Sequence, residues 1–261
     1  MMLFYTMSIF ISSGKYSINF LSSIGRMFIF FIKSIYQCFL PPYYFHALLK
    51  QVMEVGYFSL PIVGLASIFI GAIIVLQSGL NPPIINPDSI IPYIVVTSIT
   101  RELGPVLIGL IIAGKVGAAI AAEIGTMRIS EQIDALITLG VNPFKYLIAP
   151  RVIALIITLP ILITCANLIG IYGGYLVAVF ELHYSPDIYI KHAIKSLNMY
   201  DLILGLIKSF VFGAVISLVS CYYGYYCKEG ARGVGVATTS AVVLSSIFII
   251  LLNYIITLTY S

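Results

Sequence analysis

Five charged residues stand inside long apolar segments of this chain, where an uncompensated charge is expensive. They are Arg101, Glu102, Lys115, Glu123 and Lys208. On insertion scales such a charge costs about 2.5 to 3.5 kcal/mol at the centre of a membrane-spanning helix. These residues are therefore expected to face a bundle interior or a wet cavity, where intramembrane charges commonly bind or move a substrate.

Three of these residues are candidates for one substrate site. Arg101 and Glu102 are adjacent, so on a helix their side chains point about 100° apart and cannot form an ideal pair with each other. Lys208, in a later apolar segment, is a candidate partner for Glu102. We predict that Arg101, Glu102 and Lys208 line a polar substrate cavity. The alternative places Arg101 and Glu102 in the outer headgroup region, because Glu102 and Glu123 lie about 32 Å apart along a helix.

Enzymatic and metal chemistry are not indicated by the sequence. Residues 109–115 match the GxxxxGK pattern of phosphate-binding loops, but Val116 replaces the required Ser or Thr, and the match lies inside an apolar helix. No nucleophile has a base at a supporting spacing, so we predict no catalytic residues, no enzymatic activity and no cofactor. His183 and His192 lack an HExxH-type pattern. The cysteines form no CxxC pair and are predicted to be buried free thiols, at Cys38, Cys165, Cys221 and Cys227.

Membrane-spanning helices must position these charges. Of the 261 residues, 60% are hydrophobic and 9% are charged, against roughly 25% charged in soluble domains. A helix of about 20 apolar residues crosses the hydrocarbon core of a bilayer. We therefore predict an all-α polytopic membrane protein with five transmembrane helices, at residues 57–78, 91–124, 147–180, 202–226 and 236–258. Turn-forming residues separate them, at 81–88, 140–143, 181–201 and 228–233.

The N-terminal region is predicted to lie beside the bundle. Residues 24–40 are apolar, but Arg26 and Lys33 lie on one helical face, so an interfacial helix fits better than a sixth span. We expect an N-terminal cytosolic or interfacial region at 1–50 and a transmembrane domain at 51–261. No secretory signal pattern is visible at the start.

The basic residues predict an orientation with the N-terminus inside and the C-terminus outside. Lysine and arginine concentrate in the cytosolic segments of membrane proteins. With this orientation, two basic residues fall in the outer loops, Lys191 and Lys195. Nine fall in the inner segments, at Lys15, Arg26, Lys33, Lys50, Arg128, Lys145, Arg151, Lys228 and Arg232.

The segment between the second and third spans is amphipathic. Ile129, Ile133 and Leu136 recur at helical spacing, and Gly140 and Pro143 end the predicted helix. A short helix at the membrane surface can dock into a groove on a cytosolic protein. The alternative is an interfacial anchor that has no partner.

Small residues repeat along the second span. Gly114, Ala118 and Ala122 recur every four residues, a spacing that allows close helix approach. We interpret this stripe as a helix-packing seam, either within the subunit or across a homodimer. The alternative is ordinary apolar filling.

Several separated motifs together resemble one family. They are Arg101-Glu102-Leu103-Gly104-Pro105, the run from Ala121 to Met127, Glu131-Gln132-Ile133-Asp134-Ala135-Leu136, and the segment from Gly233 to Val243. Occurring in this order over roughly residues 50 to 258, they resemble the MlaE (YrbE) permeases of lipid-transporting ABC systems, of the plastid-encoded or cyanobacterial-type branch.

The resemblance implies an assembly and a site. It implies five spanning helices preceded by an interfacial helix, a permease homodimer, a partner lipid-binding protein of the MCE type, and a lipid cavity lined by Arg101 and Glu102. It also implies a cytosolic or stromal ABC ATPase that grips the connector as a coupling helix, through Arg128, Glu131, Asp134, Leu136 and Gly140. Two positions depart from the family pattern: Lys115 replaces an arginine, and Asn253 replaces an acidic residue, so no ion pair is expected at position 253.

The expected function is that of a permease subunit that moves phospholipid, driven by a separate ATPase. The alternative is a secondary or proton-coupled transporter that uses the intramembrane Glu and Lys residues. No nucleic acid partner is expected. Isoleucine exceeds leucine, which is typical of an AT-rich coding bias, so the plastid inner envelope membrane is the favoured location and a bacterial inner membrane is the alternative.

Overall fold

The computed structural model describes residues 2–80, 87–228 and 230–260, and the regular structure in these ranges is helical. Three π-helical turns, at Ile99–Leu103, Ala113–Gly117 and Phe144–Ile148, and a 3-10 turn at Tyr57–Ser59 connect some of the helices. The eleven α-helices of the described residues are α1 (Met2–Cys38), α2 (Phe45–Val55), α3 (Leu60–Leu80), α4 (Pro87–Ser98), α5 (Gly104–Ile112), α6 (Ala118–Ile129), α7 (Gln132–Thr138), α8 (Ala149–Phe180), α9 (Pro186–Ser196), α10 (Met199–Tyr225) and α11 (Gly230–Tyr260).

Five helical segments in the described part of the chain are long and apolar enough to cross a membrane. The predicted all-α polytopic fold with five spans is therefore confirmed. The first span is longer than predicted, because α2 and the 3-10 turn lead directly into α3, and the domain boundary predicted at residue 50 falls inside α2. Spans 1 to 5 are Phe45–Leu80, Ser89–Ile129, Phe144–Phe180, Met199–Tyr225 and Gly230–Tyr260.

Helix α1 is not one of the five spans, and it begins well before the predicted start at residue 24. It contacts the bundle through Phe30, which is 2% exposed. The Phe30 ring lies 5.3 Å from that of Phe144 and 5.5 Å from that of Tyr222. This aromatic cluster attaches α1 to the predicted inner ends of spans 3 and 4.

Glycines let spans 1 and 3 approach to backbone contact. A Cβ added to Gly71 would overlap the carbonyl oxygen of Gly170, and one added to Gly173 would lie 2.5 Å from the carbonyl oxygen of Ile68. Small residues allow this close approach between membrane helices. The contact forms one rigid side of the bundle.

Span 2 is interrupted by two of the π-helical turns. In the first, the Gly104 amide donates to the Ile99 carbonyl, which is an i to i+5 bond. This turn contains Arg101 and Glu102, and the second turn contains Lys115. Such single wide turns inside α-helices often occur at functional sites.

The predicted break between spans 3 and 4 contains a helix, α9, that the sequence analysis did not predict. Its Tyr189 and Ala193 are buried in an apolar cluster with Ile91 and Val95 of α4. Burial raises the pKa of the Tyr189 phenol above its usual value. Helix α9 is therefore fixed on the outer end of α4. Of the other predicted breaks, residues 81–86 and Glu229 lie outside the described residues.

Candidate functional site

Glu102 and Lys208 form the centre of a polar cluster inside the bundle. The Lys208 Nζ donates to Glu102 Oε2 at 2.7 Å, to Thr257 Oγ1 at 2.9 Å and to the Arg101 carbonyl oxygen at 3.0 Å. An ammonium group has three donors, and all three are used here. Lys208 therefore connects the π-helical turn of span 2 to span 5.

Span 5 completes the cluster with two uncharged side chains. The Asn253 amide donates to Glu102 Oε2 at 3.1 Å, and the Thr257 hydroxyl donates to Glu102 Oε1 at 3.1 Å. Asn253 thus fills the position where an acidic residue was expected from the resemblance. Instead of placing a second carboxylate against Glu102, it supplies a donor to that carboxylate.

Exposure separates the three predicted cavity residues. The Lys208 side chain is 0% exposed, whereas those of Arg101 and Glu102 are 32% and 33% exposed. The Arg101 Nε lies 3.7 Å from Glu102 Oε1. With two cations and one carboxylate, the cluster carries a net positive charge, and its exposed cation is Arg101. The structure brings the three residues together, and their role in a substrate cavity stays a prediction.

A second ion pair lies near the other end of span 2. Glu123 Oε1 is 2.7 Å from Arg151 Nη2, and Arg151 Nη1 donates to the Leu147 carbonyl at 2.7 Å. The Arg151 side chain is 6% exposed and that of Glu123 is 50% exposed. The sequence analysis used Arg151 only for orientation. The sequence did contain a signal for this pair. Glu123 is an acidic residue in an apolar segment, so it needs a cation, and Arg151 is a cation of another span on the same side of the membrane.

Lys115, in the second π-helical turn, donates to the carbonyl oxygen of Phe58. Phe58 belongs to the 3-10 turn that separates α2 from α3. A point charge needs only one acceptor for this contact, so the arginine fork expected from the resemblance is not required. Lys115 therefore ties the middle of span 2 to the irregular turn of span 1.

The helix in the connector, the segment between spans 2 and 3, is shorter than predicted. Ile129 ends α6, Glu131 has a left-handed backbone with φ of 60°, and only then does α7 begin, for seven residues. The helix predicted to run on from Ile129 is thus wrong, because the turn at Ser130 and Glu131 breaks it. An ion pair between Arg128 and Asp134, 2.6 Å apart, closes this turn.

Gly140 ends α7, as its position predicted. Its φ of 75° is in the left-handed region, where glycine has no steric penalty. The Val141 amide donates to the Leu136 carbonyl and the Gly140 amide to the Ile137 carbonyl, which is a Schellman end. Ile137 in α7 and Leu139 just after it are exposed, at 50% and 77%, so this segment carries apolar side chains on its surface.

The predicted stripe of Gly114, Ala118 and Ala122 is only partly covered by the bundle, since Ala118 and Ala122 are half-buried. Gly114 is exposed and has no atom within 4 Å of the position of a Cβ. Other glycines of span 2 make the close contacts within the subunit: Gly104 against Asn167, Gly109 against Phe212, and Gly117 against the Ser220 hydroxyl. The stripe is therefore open at Gly114 and half-covered at its two alanines.

The four cysteines are free thiols, and Cys221 and Cys227 are buried while Cys38 and Cys165 are partly exposed. Burial raises the pKa of the Cys38 thiol to about 11. It also raises the pKa of the Cys227 thiol. Thiols held in this state are poor nucleophiles, because the thiolate is the reactive form.

Five spans around a charged cluster, with a short exposed helix between spans 2 and 3, define a polytopic membrane transport protein. The chain belongs to the MlaE permease family: the family model described as Permease MlaE matches residues 48–259. Members of this family are transport subunits and not catalytic enzymes, and an ABC permease works with a partner ATPase.

Named relatives agree with this assignment. The chain is 50% identical over 246 residues to a probable ABC transporter permease protein of Rickettsia bellii, covering 94% of this chain and 95% of the relative. It is 38% identical to a probable ABC transporter permease protein of Synechocystis, over 79% of this chain and 78% of the relative. It is 37% identical to the chloroplastic protein trigalactosyldiacylglycerol 1 of Arabidopsis thaliana, over 79% of this chain and 59% of the relative.

Proposed function

We propose that this chain is the permease subunit of an ABC transporter that moves phospholipid, with a separate ATPase supplying the energy. The observation that carries the proposal is the excess positive charge of the Arg101, Glu102 and Lys208 cluster. The single Glu102 carboxylate contacts both Lys208 and Arg101, so one positive charge is left over, and the partly exposed Arg101 guanidinium can attract an anion. An acidic residue in place of Asn253 would have cancelled this charge.

A phospholipid fits both the charge and the surroundings of Arg101. A guanidinium binds a phosphate through two parallel hydrogen bonds, and the spans around it are rich in apolar side chains that suit acyl chains. The name of the Arabidopsis relative contains that of a diacylglycerol lipid, which supports lipid as the substrate class.

The proposed assembly contains two permeases, the ATPase and an MCE-type lipid-binding protein. The stripe of Gly114, Ala118 and Ala122, exposed at Gly114 and half-buried at the alanines, supports a homodimer contact, because small side chains allow two helices to approach closely. The connector supports docking of the ATPase, through the exposed apolar side chains of α7 and the coupling residues Arg128, Glu131, Asp134, Leu136 and Gly140. ATP-driven closure of the ATPase would then move α7 and, through it, span 2.

The comparisons favour a bacterial inner membrane as the location. The chain is 48% to 50% identical to the Rickettsia permeases over 94% of its length. Its identity to the chloroplastic relative is 37% over 79% of its length. The plastid envelope, favoured by the coding bias, becomes the alternative. The secondary-carrier alternative loses its support, because the family works as ABC permeases.

Arg101→Gln tests the proposal with Lys191→Gln as a matched control. The permease, with its ATPase, is reconstituted in liposomes, and ATP-dependent movement of a labelled anionic phospholipid is measured. Loss of one charge-assisted contact is expected to slow movement about tenfold or more in Arg101→Gln, and Lys191→Gln should match the wild type. Native mass spectrometry checks that each variant still contains two permeases and the ATPase. Unchanged lipid movement in an intact Arg101→Gln complex would refute the proposal.

A further inference from the structure

An open cavity of about 620 Å³, with both polar and apolar side chains in its wall, lies between α4 and α9 at the predicted outer side of the bundle. Tyr93 of α4, His192 and Lys195 of α9, and Asn198 after α9 contribute to its wall. Lys195 is one of the two basic residues that the sequence places in the outer loops. The cavity therefore combines a cation with further hydrogen-bonding side chains, which is the chemistry that binds a phosphate group.

The cavity is built on fixed elements. Tyr189 and Ala193 of α9 are 2% and 8% exposed and pack against Ile91 and Val95 of α4, both 0% exposed. His192 and Lys195 lie three residues apart, so their side chains share one side of α9. The two helices thus hold the polar groups of the cavity in place relative to each other.

Helix α4 connects this cavity to the cluster at Arg101. Tyr93 and Thr97 lie four residues apart and share one side of α4. The π-helical turn that holds Arg101 follows directly after α4. The Thr97 hydroxyl, between the cavity and this turn along the chain, is buried and has no hydrogen-bond partner among the described residues. The same continuous segment therefore carries both the wall of the cavity and the turn that holds Arg101.

We propose that the cavity between α4 and α9 is a second binding site for the phosphate group of an anionic phospholipid, at the outer end of the helix that leads into the Arg101 turn. This second site rests on the proposed function, since it is a further binding site for the same lipid. Leu197 borders both this cavity and an apolar groove of about 320 Å³ that includes Tyr172 and Ile194. A lipid whose headgroup lies in the cavity can thus place an acyl chain in the groove.

Lys195→Gln tests this site, with Lys191→Gln as the control. Both variants remove one positive charge from the same helix, but Lys191 is not part of the cavity wall. The complete complex is placed in nanodiscs that contain phosphatidylglycerol with a photoactivatable headgroup, and labelled peptides are mapped by mass spectrometry. In the wild type and in Lys191→Gln, we expect labelling of the peptides that contain Tyr93 and His192. In Lys195→Gln, labelling at equal lipid concentration should fall about fivefold, the effect of one basic residue near a lipid surface.

Three results would overturn the inference. Labelling could be equal in Lys195→Gln and the wild type, equal with a phosphatidylcholine probe, or absent from these peptides in the wild-type complex. The last result would mean that a partner protein covers the cavity. Inorganic phosphate in excess should not reduce the labelling, because the acyl chain contributes to binding.

The inference and the proposed function can fail separately. If Arg101→Gln stops lipid movement but the cavity is never labelled, only the second site is wrong. If labelling depends on Lys195 while Arg101→Gln leaves ATP-dependent movement unchanged, the lipid binds but the proposed transport through Arg101 is wrong.

Discussion

Two ion pairs on span 2 differ in burial and in what they leave exposed. The outer pair, Glu102 with Lys208, has a cation that is 0% exposed and a carboxylate that is 33% exposed. It shares its hydrogen bonds with span 5, and it has Arg101 beside it. The inner pair, Glu123 with Arg151, joins only spans 2 and 3 and has a carboxylate that is 50% exposed.

The difference separates a site from a structural contact. In the inner pair one cation meets one carboxylate, so the charges cancel and the buried Arg151 cannot reach a ligand. In the outer cluster one carboxylate contacts two cations, Lys208 and Arg101, so one positive charge is left over, and Arg101 is the exposed cation of the two. A lipid headgroup can bind a cation only where that cation is exposed and the cluster around it keeps a positive charge.

Glu102→Ala should have the largest effect on stability. It leaves the Lys208 ammonium buried without a carboxylate and removes the acceptor of Asn253 and Thr257. Breaking one partner of a buried pair costs about 3 to 5 kcal/mol. We therefore expect a large loss of the free energy of unfolding, measured by denaturant titration in detergent.

Glu102→Gln is the matched control for that loss. The glutamine oxygen can still accept from Lys208, so stability should fall less than in Glu102→Ala. The double variant Glu102→Gln with Lys208→Met removes both charges and should recover part of the lost stability. A Glu102→Ala protein as stable as the wild type would show that the outer pair does not hold the spans together.

Glu123→Ala should have an intermediate effect. Glu123 is half exposed, and Arg151 keeps its hydrogen bond to the Leu147 carbonyl. We expect a loss of about 1 to 2 kcal/mol, between the values for exposed and buried pairs. The same denaturant titration measures it. Lipid movement should remain, because this pair offers no exposed cation. A loss as large as that in Glu102→Ala would remove the distinction between the two pairs.

The sequence predicted the spans well, because apolar length alone determines them. The fourth span, predicted at 202–226, is Met199–Tyr225 in the structure. The pairing of Glu102 with Lys208 was also accessible, because an intramembrane acid needs a cation and few cations were available. Both predictions rest on the cost of placing charge in lipid, which the residue types reveal directly.

The rest of the cluster could not be predicted, because it depends on backbone geometry. The π-helical turn at Ile99–Leu103 changes the direction in which the side chains of Arg101 and Glu102 point. The sequence of this turn does not differ in pattern from that of an ordinary helix. Thr257 is an uncharged residue in an apolar helix, so nothing in the sequence indicated that it would form a hydrogen bond with Glu102. Helix α9 was missed because its polar, turn-rich surroundings resemble a loop.

Asp134→Asn should have the smallest effect on stability, since it acts on the most exposed of the ion pairs associated with span 2. Asp134 and Arg128 are 2.6 Å apart, but their side chains are 52% and 35% exposed. Such surface pairs contribute about 0.5 kcal/mol and are screened by salt. Thermal unfolding at low and high salt should therefore show a small difference from the wild type that disappears at high salt.

Transport should respond more than stability to Asp134→Asn, because the pair closes the turn between α6 and the proposed coupling helix α7. Arg128 also lies 6.0 Å from the Tyr225 ring, so it keeps one contact after the change. We expect the ATPase to bind but lipid movement per ATP hydrolysed to fall, with Lys145→Gln, at the start of span 3, as a control at the same membrane side. Wild-type coupling in Asp134→Asn would show that the geometry of this turn does not transmit motion, and that the connector acts through its apolar side chains alone.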